Sequence, residues 1–217
     1  MFARKPLRDD VGAEVLSRII DGRLPSGARI NESHLSAEMD ISRTPLREAL
    51  LCLVTEGVVV SDMGRGFAVP HLQGREVVDL LDTLAVLAPA CVRGGAAVEM
   101  TDIMNARNNL GRARMVIDGA RDMAEYFYVI LETYFAECPN RILRDQCRTL
   151  TRRTLRYIHE AHIRGWSARA FLDDMAKCID KLDRGDRLGA AESLDQALRD
   201  LGGDLAQRFP AEVSGRA

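Results

Sequence analysis

The sequence predicts a mostly helical fold, in which an amino-terminal winged helix-turn-helix (residues 1–72) precedes an all-helical bundle (residues 73–217). Residues 8–70 contain short helical patterns separated by turn residues, followed by two β-prone runs. Residues 73–208, by contrast, follow helical periodicity almost throughout. The sequence PHLQG at residues 70–74 interrupts both patterns, and we therefore place the domain boundary there.

The amino-terminal region contains three short helical segments. The first ends at Asp21-Gly22, where a glycine suits the carboxyl cap of a helix. The second is capped by Asn31 or Ser33, since either side chain can accept a hydrogen bond from a free backbone N–H group. Thr44-Pro45 supplies a cap and a first-turn proline for the third segment, which ends at Glu56-Gly57.

The run VVVSDMGRGFAV, residues 58–69, follows the third helix. Its two β-prone halves surround a glycine-containing turn, which predicts a β-hairpin. Two helices, a turn, a third helix and a hairpin within about 60 residues indicate a winged helix-turn-helix, with the hairpin as its wing.

The third helix has two distinct faces when its residues are placed at about 100° per residue. The apolar face consists of Leu46, Ala49, Leu50 and Leu53. The opposite face consists of Thr44, Arg47, Glu48 and Leu51, and Arg43 lies at the start of the helix. A helix amino terminus has free N–H groups and a positive dipole end, so this end suits a phosphate. In a helix-turn-helix the same end enters the major groove, where arginine can bind O6 and N7 of guanine.

The composition limits the classes of function. The 217 residues, 47% of them hydrophobic, suffice for a buried core, and the sequence has no apolar run long enough to span a membrane. The start MFARKPLRDD lacks the apolar segment of a secretory signal, so we expect a cytoplasmic protein. Five scattered cysteines without a CxxC pair indicate free, buried thiols rather than a redox sensor. Residues 1–72 hold 9 Lys and Arg against 10 Asp and Glu, so DNA binding must depend on where the charges lie.

The carboxy-terminal region is predicted to form about six helices, joined at glycine, proline and asparagine residues. They cover approximately residues 73–98, 101–117, 120–137, 140–164, 168–184 and 186–207. Pro89 is expected to kink or end the first of them, because proline removes a backbone hydrogen bond. A helical bundle follows from this pattern.

The run GRLPSGARINESHLSAEMDISRTPLREAL through LVTEGVVVSDMGRGFAV resembles the DNA-binding domain of GntR-type bacterial transcriptional regulators over about 60 residues. The helical remainder resembles the effector domain of the FadR-like (FCD) subfamily. This resemblance implies a homodimer that binds a palindromic operator and whose DNA affinity is changed by a small molecule. The DNA contacts that it implies are Arg43, Thr44, Arg47, Gly64, Arg65 and Gly66. Arg65 would lie at the hairpin tip, where a cation can approach the DNA backbone or minor groove.

Two positions in the first domain are not expected to bind DNA phosphates. Ser33 stands where some members of the family have an arginine, so a phosphate contact is lost there. Glu48 is expected to serve its own domain rather than DNA, because a carboxylate facing phosphates would repel them.

Many FadR-like domains bind a divalent metal ion through one aspartate and three histidines. At the matching positions this chain has Ala124, Tyr128, Met175 and Ala197. None of these is a strong ligand for such an ion, so we expect neither a metal ion nor another cofactor. His159 and His162 are three residues apart but have no third ligand at matching spacing, and we expect a surface or core-edge pair.

Loss of these ligands predicts an apolar pocket, with Tyr128 and Met175 as candidate effector-binding residues. The expected effector is an apolar or aromatic compound, or a ligand held by a few hydrogen bonds from Tyr128 or Tyr126. The alternative is that the same residues are packed core and the domain only dimerises. Two other classes remain, a protein-binding adaptor and a helical-bundle enzyme. The sequence has no GxSxG, P-loop or GxGxxG motif, and Glu160 and His162 are not spaced as a Glu-x-x-His pair.

Overall fold

A computed structural model of the protein describes residues 7–62, 66–95, 100–116 and 119–210. The chain divides into two compact units, Met1–His71 and Leu72–Ala217. The first is a small helical unit with a three-stranded sheet, and the second is helical throughout its described part. The predicted fold class is confirmed.

The first unit contains three helices and three short strands. In chain order they are α1 (Leu7–Ile20), β1 (Arg29–Ile30), α2 (Glu32–Glu38), α3 (Arg43–Thr55), β2 (Val60–Asp62) and β3 (Gly66–Ala68). The sheet is antiparallel with the order β1-β3-β2, so β2 and β3 form the predicted hairpin. The strand β1 was not predicted, because two residues are too few for an alternating pattern to be visible.

The structure decides between the predicted caps of α2 and corrects the predicted start of α3. Asn31, not Ser33, caps α2: its Oδ1 atom accepts hydrogen bonds from the backbone N–H groups of Ser33 and His34, both at 3.1 Å. The helix α3 begins at Arg43 with Ser42 as cap residue, so the prediction that Thr44-Pro45 starts this helix was wrong by about half a turn. Proline is tolerated throughout the first turn, because the N–H groups there have no partner within the helix.

The core of the first unit forms where α1 packs on α3. Leu46, Ala49, Leu50 and Leu53 are all buried, as the apolar stripe predicted. Val15 of α1 is also fully buried. Burying a side chain of this size stabilises a fold by about 1.5–3 kcal/mol, which anchors α3 by one face and leaves the other face exposed.

The second unit contains six helices within the residues that the structure describes. They are α4 (Gly74–Gly94), α5 (Met100–Met115), α6 (Ala120–Phe135), α7 (Arg141–Ile163), α8 (Arg169–Asp183) and α9 (Arg187–Ala206). The helix α4 packs along α9 and against α7, and α6 packs on α7. Of the two predicted effects of Pro89, a kink or an end, the end is not found: α4 continues through Pro89, whose neighbours Ala88 and Cys91 are buried, and their packing outweighs one lost hydrogen bond.

The cysteines are free, but they are not all buried. Cys91, Cys138, Cys147 and Cys178 are buried, and Cys52 is exposed because it lies beside the apolar stripe of α3. A helix with the length and apolarity needed to cross a bilayer is absent from the described part of the chain.

Candidate nucleic-acid interface

A surface groove of about 560 Å³ lies in the first unit, between the start of α2, the polar face of α3 and the wing strand β3. Its lining consists of Ile30, Asn31, Glu32, Ser33, Arg43, Thr44, Arg47, Glu48, Leu51 and Gly66. Four of the six residues predicted to contact DNA therefore line one groove: Arg43, Thr44, Arg47 and Gly66. Arg43, Thr44 and Arg47 share the helix α3, and the fold of the unit brings Gly66 of β3 to the same groove.

The amino terminus of α3 opens into this groove. Arg43 and Thr44 occupy its first turn and are exposed. Ser42 makes no capping hydrogen bond, and within the described residues no side chain accepts a hydrogen bond from the N–H groups of this turn. The corresponding groups of α2 are already bound to Asn31. The start of α3 thus offers free N–H groups and a positive dipole end to an anion.

Arg47 lies one turn further along α3 and contacts two other elements. Its Nη1 atom donates hydrogen bonds to the Oε1 and Oε2 atoms of Glu32 on α2, at 3.2 and 3.3 Å. Its guanidinium carbon lies 5.6 Å from the centre of the Phe67 ring on β3, a distance typical of a cation–π contact. The side chain nevertheless remains 61% exposed, so the guanidinium is held from two sides and still faces solvent.

The ionisable side chains that line the groove have no net charge, because two are basic (Arg43 and Arg47) and two are acidic (Glu32 and Glu48). Glu48 is exposed and makes no ion pair or hydrogen bond within the described residues, so the structure shows no contact through which it would serve its own domain. A groove with no net charge attracts DNA less than a basic one. Binding must therefore depend on the placement of individual donors.

The wing contributes one described residue to the predicted site. Gly66 begins β3 with a φ of 87°, a conformation that favours glycine. A β-carbon added to Gly66 would lie 4.0 Å from the Oε1 atom of Glu32, so the wing strand runs beside that carboxylate. Gly64 and Arg65 lie outside the described residues.

The candidate effector residues of the bundle have different neighbours. Tyr128 on α6 is half-buried. Met175 on α8 is fully buried, and its carbonyl oxygen accepts a hydrogen bond of 3.1 Å from the hydroxyl of Tyr134. Burial raises the pKa of Tyr134, so this tyrosine stays neutral.

The four positions that were predicted to match the metal ligands of FadR-like domains are apolar or aromatic. Ala124 and Ala197 are both buried, as is Met175. In the portion of the chain that the structure describes, no three His, Cys, Asp or Glu side chains are grouped so that they could hold a metal ion. His159 is buried and His162 is half-buried, which places the pair at the edge of the core.

Two residues that contact Arg47 were missed by sequence reasoning, Glu32 in the groove lining and the buried Phe67 on β3. The only available signals were local: Glu32 follows the cap residue Asn31, and Phe67 lies in a β-prone run. Neither signal shows that both side chains contact Arg47, because those contacts depend on how α2 and β3 pack beside α3.

Comparison with known proteins matches the first unit to a family. Residues 7–69 fit the family described as "Bacterial regulatory proteins, gntR family". The chain is 43% identical over 67 residues to the Nta operon transcriptional regulator of Aminobacter aminovorans, covering 31% of this chain and 32% of that protein. It is 35% identical over 77 residues to the Gluconate operon transcriptional repressor of Bacillus licheniformis, covering 36% of this chain and 31% of that protein. The match thus spans about a third of these relatives, and both are named as regulators rather than as enzymes.

Solved structures extend the likeness of fold to the second unit. A GntR transcriptional regulator of Rhodococcus sp. RHA1 has a TM-score of 0.78 at 19% identity, covering 94% of this chain and 100% of that chain. The E. coli protein McbR/YncC has a TM-score of 0.75 at 18% identity, covering 94% of this chain and 99% of that chain. These identities are low, and they show a shared fold alone. Residues 7–69 are therefore a winged helix-turn-helix domain of the gntR family of bacterial regulatory proteins, joined to a helical unit of the fold found in these structures.

Proposed function

We propose that this protein is a transcriptional regulator of the FadR-like type that binds a palindromic DNA operator as a homodimer. The observation that carries the proposal is the groove at the start of α3, where free N–H groups stand beside Arg43, Thr44 and Arg47. An exposed helix end with donors of this kind, held on a rigid apolar stripe, suits the major groove of duplex DNA.

Each element has a distinct role in this proposal. The N–H groups of the first turn of α3 and the side chains of Arg43 and Thr44 bind phosphate or base edges, and Arg47 reaches a guanine. Gly66, with Gly64 and Arg65, brings the wing to the DNA backbone or minor groove. The helical unit pairs two copies, so that two recognition helices reach successive half-sites.

The helical unit acts by one of two routes. In the first, an apolar or aromatic compound binds near Tyr128 and Met175 and changes DNA affinity by favouring one arrangement of the dimer. In the second, the unit only dimerises. Full burial of Met175 and the contact between the Phe127 and Phe171 rings, with centroids 5.2 Å apart, favour the second route at this position. The relatives are named for operons, and we extend to this chain the control of an operon.

The proposal is tested by measuring DNA binding and assembly together. The full chain is incubated at low ionic strength with duplexes from the region upstream of its own gene, and binding is followed as salt increases. We expect a preferred fragment, affinity that falls steeply with salt because phosphate contacts release counterions, and a dimer by sedimentation. Equal binding to every fragment, or a monomer at the concentrations used, would contradict the proposal.

A further inference from the structure

The contact between Arg47 and Glu32 leaves one edge of the guanidinium available. Both hydrogen bonds to Glu32 come from Nη1, and within the described residues Arg47 makes no other hydrogen bond. The Nε and Nη2 atoms form the remaining edge, which carries two parallel N–H donors. Guanine presents two parallel acceptors, O6 and N7, in the major groove, so this edge matches a guanine in a bidentate contact.

We propose that Glu32 is a positioning residue that sets base preference, because it holds Nη1 and thereby turns the Nε–Nη2 edge of Arg47 toward a guanine. The inference rests on the proposed DNA-binding function and adds to it a residue from outside the recognition helix. Glu32 acts through Arg47 and makes no contact with DNA itself.

Three features of the site support this role. The side chain of Glu32 is 21% exposed whereas that of Arg47 is 61% exposed, so the carboxylate is the more fixed member of the pair. Phe67 lies on β3 and supports the guanidinium from another side. An arginine that is already oriented loses less conformational freedom when it binds, and the same orientation excludes competing contacts with other bases.

The negative charge of Glu32 also affects DNA binding. A carboxylate in a groove that receives DNA weakens the attraction to phosphates at every sequence. Its contribution to binding is therefore selectivity rather than affinity. Removing Glu32 should make the domain bind DNA more tightly in general and distinguish base pairs less well.

Glu48 provides a matched control, because it is a carboxylate in the same groove whose side chain makes no hydrogen bond or ion pair with that of Arg47 within the described residues. Glu32→Met and Glu48→Met each remove one negative charge and keep a side chain of similar length. Wild type and both variants are first shown to have the same secondary structure and similar melting temperatures. Each is then used to select sequences from duplex DNA with a randomised centre, and the affinities for the selected site and for single base-pair changes are measured.

We expect wild type to prefer G·C at one position of each half-site by roughly 5- to 150-fold, the range for one bidentate arginine contact. Glu48→Met should bind all duplexes more tightly and keep this ratio. Glu32→Met should also bind more tightly but lose about fivefold or more of the preference at that position. In the Arg47→Lys variant the planar guanidinium is absent, so adding Glu32→Met should not change the preference for G·C any further.

The possible failures are distinguishable. If wild type selects no sequence, the proposed function is wrong, and this inference falls with it. If wild type selects a sequence and Glu32→Met keeps the full base preference, the positioning role is wrong and the proposed function stands. Equal loss of preference in Glu32→Met and Glu48→Met would assign the effect to charge alone and would likewise overturn the positioning role.

Discussion

The hydroxyl of Tyr157 on α7 donates a hydrogen bond to the carboxylate of Glu76 in the first turn of α4. The same hydroxyl accepts a hydrogen bond of 3.2 Å from the backbone N–H of Gln73, immediately before α4. Glu76 also accepts hydrogen bonds from Arg153 at 2.8 Å and from Arg156 at 3.1 Å. One partly buried polar cluster thus joins the beginning of α4 to the middle of α7.

Replacing the tyrosine tests this cluster. Tyr157→Phe should lower the free energy of unfolding by about 1–3 kcal/mol at neutral pH, because it removes a hydrogen bond to a charged group and leaves the Gln73 N–H without a partner. Tyr126→Phe is the control, since Tyr126 is half-buried and makes no hydrogen bond within the described residues. Urea unfolding followed by circular dichroism measures both variants. A loss no larger than that of the control would show that the cluster does not stabilise the bundle.

The same tyrosine predicts a dependence on alkaline pH. Burial, and secondarily the hydrogen bond to Glu76, raises the pKa of Tyr157 above that of an unfolded tyrosine. The resulting stability is therefore complete below the unfolded pKa of about 10 and is lost as the pH rises through the raised value. The free energy of unfolding, measured from about pH 8 to 11, should fall more steeply for wild type than for Tyr157→Phe. Parallel curves would contradict this expectation.

Arg47 provides the most direct test of DNA docking. Arg47→Ala should weaken binding to the selected duplex by about 1–3 kcal/mol, because a base contact is lost. The melting temperature should change little, since Arg47 is exposed and lies off the apolar stripe of α3. Arg169→Ala is the matched control, an exposed arginine in the second unit without an ion pair in the described part of the chain. Fluorescence anisotropy should show wild-type affinity for the control. Equal affinity of the two variants would place Arg47 outside the interface.

Asp40 offers a route to a more stable first unit. Its φ of 51° lies in the left-handed region, at the turn where the Ile41 N–H donates to the Ser36 carbonyl oxygen and closes the end of α2. Asp40→Gly should raise the free energy of unfolding by about 0.5–1 kcal/mol, because glycine adopts this conformation without strain. Gly22 has a φ of 77° and open space around it, so Gly22→Ala should lower the free energy of unfolding by about 1 kcal/mol through backbone strain alone. Thermal unfolding measures both, and a destabilised Asp40→Gly would contradict the assignment of strain.

The cysteines should differ sharply in reactivity toward a maleimide. Cys52 is exposed and should be labelled in the native protein. The other four are buried, and burial raises the pKa of Cys178 to about 12, which reduces the reactive thiolate. Mass spectrometry should therefore find one label on the native protein and five after unfolding in urea. Cys52→Ser should remove the native label; rapid labelling of a second cysteine would contradict the described burial.

The first unit could be predicted closely because its signals are local. The stripe of Leu46, Ala49, Leu50 and Leu53 identifies α3 and its buried face, since helical periodicity is a property of one segment. The exposed residues Arg43, Thr44 and Arg47 follow from the same rotation. The choice of Asn31 over Ser33 as cap, and the true start of α3, depended on backbone geometry that several residue types can satisfy.

The six helices of the second unit could be predicted from the sequence, but the roles of individual residues within them could not. Its joints carry clear signals, such as Asn140 and Asp186, which cap α7 and α9. At Pro89 the sequence left open whether the helix kinks or ends, and the structure decides that α4 continues through it among buried neighbours. Tyr128 and Met175 were placed by resemblance alone, and they stay predictions.

The amino-acid sequence by itself determined the helices, the wing and the charged end of α3, because each depends on the order of neighbouring residues. Only the tertiary structure decided that Glu32 and Phe67 contact Arg47, and that Tyr157 and Glu76 share a partly buried cluster. Such contacts join residues that are distant in the chain. They depend on the packing of whole elements against each other, which no local pattern of residues encodes.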